Sequence, residues 1–260
     1  MTYLYIGVGF LYVLSLAMLI NGFRKLPFFT EELLPEKTRF SIIIPFRNEA
    51  ENLPSLLESL QNLQYPSHLF EVIFVDDASE DNSVETLNQS LKKKEGFENF
   101  QVIKNERHSA SPKKDAITAA IAISKYEWIL TTDADCILPH TWLKAYDSFI
   151  QKYRSTLIAG PVVYKSDKSI NGQFQKFDGL SLQLVTMGSF GMKTPVLCNG
   201  ANVAYRKEAF FSVNGFAENN HIASGDDIFI LEKILKIAPK EVHFLKSQEA
   251  IVETMPQNSW

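Results

Sequence analysis

Cysteine is scarce in this chain: Cys136 and Cys198 are the only two among 260 residues. That excludes a disulfide-built scaffold and any Cys-x-x-Cys zinc site, and it is compatible with a reducing compartment. A basic excess is also missing. The 26 Lys and Arg are outnumbered by 30 Asp and Glu, for a net charge of −4. A generic nucleic-acid binder, which carries a basic face or stripe, is therefore not expected. No internal repeat or low-complexity tract occurs. What remains is 45% apolar and 22% charged, a globular composition with enough length for one medium domain or two small ones.

A local absence of charge matters more. Tyr3 to Ile20 contains no ionisable acid or base other than tyrosine. As a helix those residues rise about 27 Å, close to the ~30 Å hydrocarbon core of a bilayer. Asn21, Gly22 and Phe23 extend the run, and Arg24 and Lys25 follow at once. A cleaved signal peptide needs a basic n-region and a small-x-small cleavage site, and neither is present. The reading is a membrane anchor over residues 1–23, with a linker over 24–38. The basic flank places the N-terminus outside and everything after Arg24 in the cytosol.

Beyond the linker, short apolar runs alternate with helical stripes. Phe40–Pro45 and Glu71–Val75 read as strands buried on both faces. Leu53, Leu56, Leu57 and Leu60 share one helix face, with Asn48 and Glu51 as a capping box at its start. Val84, Leu87 and Leu91 form a second stripe. Phe100–Ile103 and Trp128–Thr132 read as strands, Ala116–Ser124 and Pro139–Tyr153 as helices, and Thr156–Tyr164 as one further strand. The order implies an α/β fold: a mostly parallel central sheet with helices on both faces. Ligands of such sheets bind beyond the carboxyl ends of the strands.

Polar clusters stand at three of those ends: Pro45-Phe46-Arg47-Asn48-Glu49, Asp76-Asp77, and Asp133-Ala134-Asp135. Convergence of the three on one rim is the first functional expectation. In extended backbone Asp133 and Asp135 project to one face. Paired carboxylates of this kind suit Mg²⁺, which takes one or two of them and completes its shell with water and substrate phosphates. A solvated acidic turn is the competing reading. Asp76 and Asp77 either accept hydrogen bonds from a nucleoside or cap the helix that follows. Lys113 and Lys114 precede the Ala-rich helix, where a lysine meets phosphate or solvent. Asp226 and Asp227 open another helix after Gly225. They are either a favourable charge at its N-terminus or a general base whose pKa is raised by crowding.

The segments FSIIIPFRNEAENL, VIFVDDASEDNS, KKDAI, TTDADC, CNGANVAYRKEAF and SGDDIFI, in this order, resemble glycosyltransferase family 2 over roughly residues 38–235. The resemblance implies the Rossmann-like A-type nucleotide-diphospho-sugar transferase fold over 39–260, with a nucleotide half over 39–136 and an acceptor half over 137–260. It implies that Pro45, Arg47 and Glu49 line a nucleotide pocket, that Asp77 with Asp76 contacts uracil or ribose, and that Lys114 lies near the nucleotide. Asp133 and Asp135 would hold the donor diphosphate through Mg²⁺ or Mn²⁺. Asn199 and Gly200 would belong to the donor-sugar and acceptor pocket, and Asp227, paired with Asp226, would be the catalytic base. The implied activity is inverting, metal-dependent hexosyl transfer from a nucleotide-sugar, UDP-linked by family habit, to a lipid or polysaccharide acceptor of the cell envelope. A Gln-x-x-Arg-Trp motif usual in membrane members is missing, and Gln257–Trp260 falls where it should begin. The expectation is a C-terminally truncated piece. The alternative is an incomplete, non-catalytic sugar-nucleotide-binding module.

Two other classes place acids at strand ends. A response-regulator receiver needs only about 120 residues and a lone phosphorylatable Asp, and a haloacid-dehalogenase-type phosphatase carries its D-x-D on the first strand. Neither matches the length, the fourth-strand position of Asp133, or the second acidic pair. Finally, Phe174, Phe177, Leu180, Leu184 and Met187 recur at helical steps. That helix either packs on the sheet, the reading preferred here, or lies at a membrane surface.

Overall fold

A computed structural model of the protein describes residues 1–32, 34–93, 99–165 and 169–256. Lys94 and Gln257–Trp260 lie outside the described residues. The elements in chain order are α1 (Thr2–Lys25), β1 (Phe40–Phe46), α2 (Leu53–Gln61), β2 (Phe70–Asp76), α3 (Ser83–Lys93), β3 (Phe100–Lys104), α4 (Pro112–Ile123), β4 (Trp128–Thr131), β5 (Cys136–Ile137), α5 (Trp142–Lys152), β6 (Leu157–Ala159), β7 (Val162–Tyr164), α6 (Ile170–Gly191), β8 (Val203–Arg206), α7 (Lys207–Ser212), α8 (Asp226–Ile237), β9 (Val242–Phe244) and β10 (Val252–Thr254).

Seven strands form the central sheet in the order β3-β2-β1-β4-β8-β6-β9. All its pairings are parallel except those that β8 makes with β4 and β6. The alternation of side chains along a strand explains the continuous apolar run of β1. Ile42 and Ile44 pack on one face with Leu53, Leu56 and Leu60 of α2 and Trp142 of α5. Ile43 packs on the other with Ile117 and Ile121 of α4 and Ile230 and Ile234 of α8. Helices therefore cover both faces, as the sequence pattern implies.

Three local expectations are corrected. Thr156–Tyr164 is not one strand. It breaks at Gly160-Pro161, so that β6 joins the central sheet and β7 a second, three-stranded sheet in the order β5-β10-β7. The break is held by the buried Asn202. Its Oδ1 accepts from Trp142 Nε1 at 2.9 Å and Tyr146 Oη at 2.8 Å, and its Nδ2 donates to the carbonyls of Pro161 and Ala250, both at 2.8 Å. The capping box at Asn48 does not form, because α2 starts only at Leu53. Asn48 instead takes a left-handed φ of 56° and stitches the loop after β1 to the loop after β2. Its N–H donates to Ser79 Oγ at 3.1 Å, and its Oδ1 accepts from Glu80 N at 2.7 Å. Lastly, α4 begins at Pro112, so Lys113 and Lys114 sit in its first turn rather than before it.

Among the described residues, α1 is the one helix long and apolar enough to cross a membrane. Its 24 residues measure about 36 Å.

Candidate active site

The carboxyl ends of β1, β2 and β4 meet at one rim, because these strands are parallel neighbours. A cavity of about 310 Å³ opens there, and Pro45, Arg47, Glu49, Asp77, Asp133 and Asp135 all line it. The three strand-end clusters are thus brought together. A larger cavity of about 420 Å³ lies between Phe29, Phe149, Phe190 and Phe244; it has no carboxylate in its lining and offers no comparable chemistry.

Asp77 is clamped by one cation and one amide. Arg107 donates from Nε to Oδ1 at 2.7 Å and from Nη2 to Oδ2 at 2.8 Å, while Asn105 Nδ2 donates to Oδ1 at 2.7 Å. Burial pushes the Asp77 carboxyl upward, but these hydrogen bonds outweigh it and hold the pKa below the ordinary aspartate range. Asp76 does not reach the cavity. It is buried at the end of β2, where its Oδ1 accepts from Ser79 N at 2.9 Å and shapes the turn. Sequence reasoning missed Asn105 and Arg107, although they follow β3 and the same strand-end logic would have found them.

Asp133 and Asp135 stand side by side, and Glu49 faces them from the loop after β1. Asp135 is pinned by Thr254 of β10, whose Oγ1 donates to Oδ2 at 3.1 Å. Burial raises the Asp135 pKa, and Asp133 raises it further. Burial likewise raises that of Glu49, with Asp135, Asp133 and Asp81 adding to it against a hydrogen bond from Asn52. Among the described residues no three acid, imidazole or thiol groups are gathered tightly enough to enclose a metal ion. The donor set is nevertheless of the right kind. Hard carboxylate oxygens, repelling one another on an open cavity, suit a Mg²⁺- or Mn²⁺-type cation that keeps positions for water and phosphate oxygens.

Lys114, the lysine expected near the nucleotide, does not line this cavity, whereas its neighbour Lys113 does. Lys114 is turned into the protein with only 1% of its surface exposed. Its Nζ donates to the carbonyls of Asn219, Ile222 and Ser224 at 2.9, 2.8 and 3.0 Å and lies 4.5 Å from the ring centroid of Phe229. Lys113 points into the cavity instead. Its Nζ is 2.7 Å from Asp133 Oδ1 and 3.8 Å from Asp226 Oδ2. Burial pulls the Lys113 pKa down, but Asp133 and Asp226 outweigh that and hold it well above the usual lysine value.

The second acidic pair opens α8. Asp227 Oδ2 accepts from Gly200 N at 2.9 Å, and its Oδ1 accepts from Ile228 N at 2.7 Å. Burial raises the Asp227 pKa and Asp226 adds to it, against the two N–H groups and Lys113. Gly200 permits the close approach: a Cβ there would lie 3.1 Å from Asp226 Oδ2 and 3.7 Å from Asp227 Cβ. The Gly200 carbonyl is held from the other side by Thr131 Oγ1 of β4 at 2.7 Å. Asn199 is exposed, with Oδ1 accepting from Ala201 N at 2.9 Å. The acidic pair of α8 and the pair after β4 therefore face each other across one ammonium group.

The profile of Glycosyl transferase family 2 matches residues 41–212. A poly(ribitol-phosphate) beta-glucosyltransferase of Bacillus spizizenii is 34% identical over 135 residues, 52% of this chain and 20% of the relative. Glycosyltransferase AglE of Haloferax volcanii is 25% identical over 190 residues, 72% of this chain and 58% of that protein. The chain thus spans a fifth of the first relative's length and a little over half of the second's. In fold it is similar to the mannosyltransferase PcManGT of Pyrobaculum calidifontis, solved with GDP-Man and Mn²⁺. That likeness has a TM-score of 0.69 and 17% identity, and covers all of this chain and 68% of the other. Staphylococcus aureus TarS 1-349 follows, with a TM-score of 0.62 and 19% identity over 84% of this chain and 60% of that one.

Proposed function

The chain belongs to glycosyl transferase family 2, and we propose that it moves a sugar, with inversion, from a nucleotide-diphospho-sugar to a lipid-linked or saccharide acceptor at the cytosolic face of a membrane. The observation that carries this reading is the single ammonium of Lys113, set between Asp133 and Asp226. It joins a diphosphate-type site to an acidic pair suited to proton abstraction.

Asp227 takes the proton of the acceptor hydroxyl. Its raised pKa suits a base, and the N–H groups of Gly200 and Ile228 fix its orientation. The acceptor oxygen then attacks the anomeric carbon from the face opposite the nucleotide. Lys113 stabilises negative charge on the departing diphosphate. Asp133 and Asp135, with Glu49 beside them, would hold Mg²⁺ or Mn²⁺, which when bound supplies Lewis-acid stabilisation of the same leaving group. Asp77, locked by Arg107, accepts hydrogen bonds from the base or ribose, and Pro45 and Arg47 wall the nucleotide side. UDP is the expected nucleotide, and Asn199 and Gly200 border the acceptor side. Residues 39–136 supply the nucleotide half and 137–260 the acceptor half. Arg24 and Lys25, in the last turn of α1, support a cytosolic catalytic domain.

The test is calorimetry of the full chain in detergent against a panel of nucleotide-sugars, with and without Mn²⁺. Binding of one donor, lost without the metal and in Asp135→Ala, is expected. A folded sample that binds no donor refutes the reading.

A further inference from the structure

The apolar stripe of α6 faces away from the body of the protein. Positions 170, 174, 177, 181, 184, 188 and 191 step by four and three residues along one line of a helix. They are Ile170, Phe174, Phe177, Ser181, Leu184, Gly188 and Gly191. The opposite line carries Gly172, Lys176, Gly179, Gln183, Thr186 and Phe190. Packing of a helix on a sheet should bury the apolar line, yet its first half is exposed. Gly172, Gln183, Thr186 and Phe190 are buried, and Gly179 lies so close to Tyr164 of β7 that a Cβ would stand 2.7 Å from its ring. Ile170 is 91% exposed and Phe177 70%, with Leu180 and Leu182 exposed on their flanks. α6 thus packs on the sheets as expected, with Met187 of the stripe against the core, while Phe174, Phe177 and Leu180 are exposed.

The same outer line ends on α1. Gly188 and Gly191 meet Leu19 and Gly22 backbone to backbone. A Cβ on Gly188 would lie 2.6 Å from the Leu19 carbonyl oxygen, and one on Gly191 would overlap the Gly22 carbonyl. Leu19 and Gly22 are the last turns of the candidate span, just before Arg24 and Lys25. The rest of α1 is exposed and apolar. The exposed apolar line of α6 therefore adjoins the exposed apolar surface of α1.

We infer that the exposed apolar line of α6, with Ile170, Phe174, Phe177 and Leu180, is in contact with lipid beside α1. This rests on the membrane reading of α1 proposed above. Exposed to water, this surface would carry a standing aggregation liability. The placement has a consequence for the site. α6 is preceded by β7, whose partner β10 holds Asp135 through Thr254. It is followed by Asn199 and Gly200, which hold Asp227. Both ends of the membrane-facing helix thus run into the segments that shape the reaction centre, and an acceptor carried in the membrane meets that centre at the lipid surface.

The test places a single new cysteine in the full chain at Phe177→Cys, Ile170→Cys, Leu11→Cys or Glu85→Cys. Each is labelled with an environment-sensitive fluorophore and reconstituted into phosphatidylcholine–phosphatidylglycerol vesicles that contain spin-labelled lipid. The native Cys136 and Cys198 are buried and do not compete for label. Leu11→Cys reports the span, and Glu85→Cys on the outside of α3 reports the aqueous body. The expected result is loss of most of the fluorescence at positions 11, 170 and 177 and none at 85. Quenching at 11 with none at 170 and 177 overturns the inference and leaves the anchor standing. No quenching at any of the four overturns both.

Discussion

Replacing Lys114 by methionine, and separately Lys113 by methionine, divides two neighbouring lysines that the sequence cannot tell apart. Lys114 donates to three carbonyls of the segment that leads into Gly225 and the acidic pair. Hydrogen bonds to a charged group are each worth about 1.5–3 kcal/mol, and buried acceptors left without a donor cost about 1–3 kcal/mol. These terms overlap. Methionine keeps the packing on Phe229 and the freed carbonyls relax in part, so a net loss of about 3–5 kcal/mol is expected, the range for breaking a buried ionic contact. For a domain of this size that lowers Tm by roughly 6–20 °C. Lys113 is about a third exposed and makes an ion pair. Its replacement should move Tm by about 4 °C or less while abolishing most donor affinity. Differential scanning fluorimetry and donor calorimetry on both variants decide the matter. A Lys114→Met protein that melts like the parent but binds nucleotide weakly would refute the assignment of Lys114 to the loop and return it to the nucleotide.

Asp227→Asn should cut turnover by about 10²–10⁴-fold with donor affinity unchanged; equal turnover would refute Asp227 as the base, and no turnover in either protein would favour the non-catalytic binding module. Because the base works deprotonated and its pKa is raised by burial and Asp226, the rate should fall, as pH is lowered, above the ordinary aspartate range. In Asp226→Asn that acid limb should shift to lower pH, since one of its causes is removed. A limb that stays in place, measured as kcat against pH, would show that Asp227 does not set it. Asn202→Leu strips partners from Trp142, Tyr146, Pro161 and Ala250 at once. It should destabilise the chain by at least about 3 kcal/mol in chemical denaturation.

Legibility in the sequence varied with the range of the forces involved. The runs of β1 and β2 were readable because strands buried on both faces are apolar throughout. The helical stripes were readable because they repeat with the helical period, and the strand-end acids because parallel strands share a rim. The four-residue β8 was not, since Val203–Arg206 carries no run and its antiparallel seat depends on β4 and β6 on either side. Nor was the break at Gly160-Pro161, which depends on Asn202, some forty residues further along the chain.

By itself, then, the sequence determined the apolar N-terminal helix, the alternation of strands and helices, and the residue types of the site, because these follow from local periodicity and composition. The tertiary structure alone decided which of two adjacent lysines faces the acids, since successive residues of a helix point about 100° apart and only the seating of α4 on the sheet selects one. It decided equally that the apolar line of α6 turns outward. A stripe in a sequence states that a face must be buried, but the elements packed around it determine whether protein or lipid does the burying.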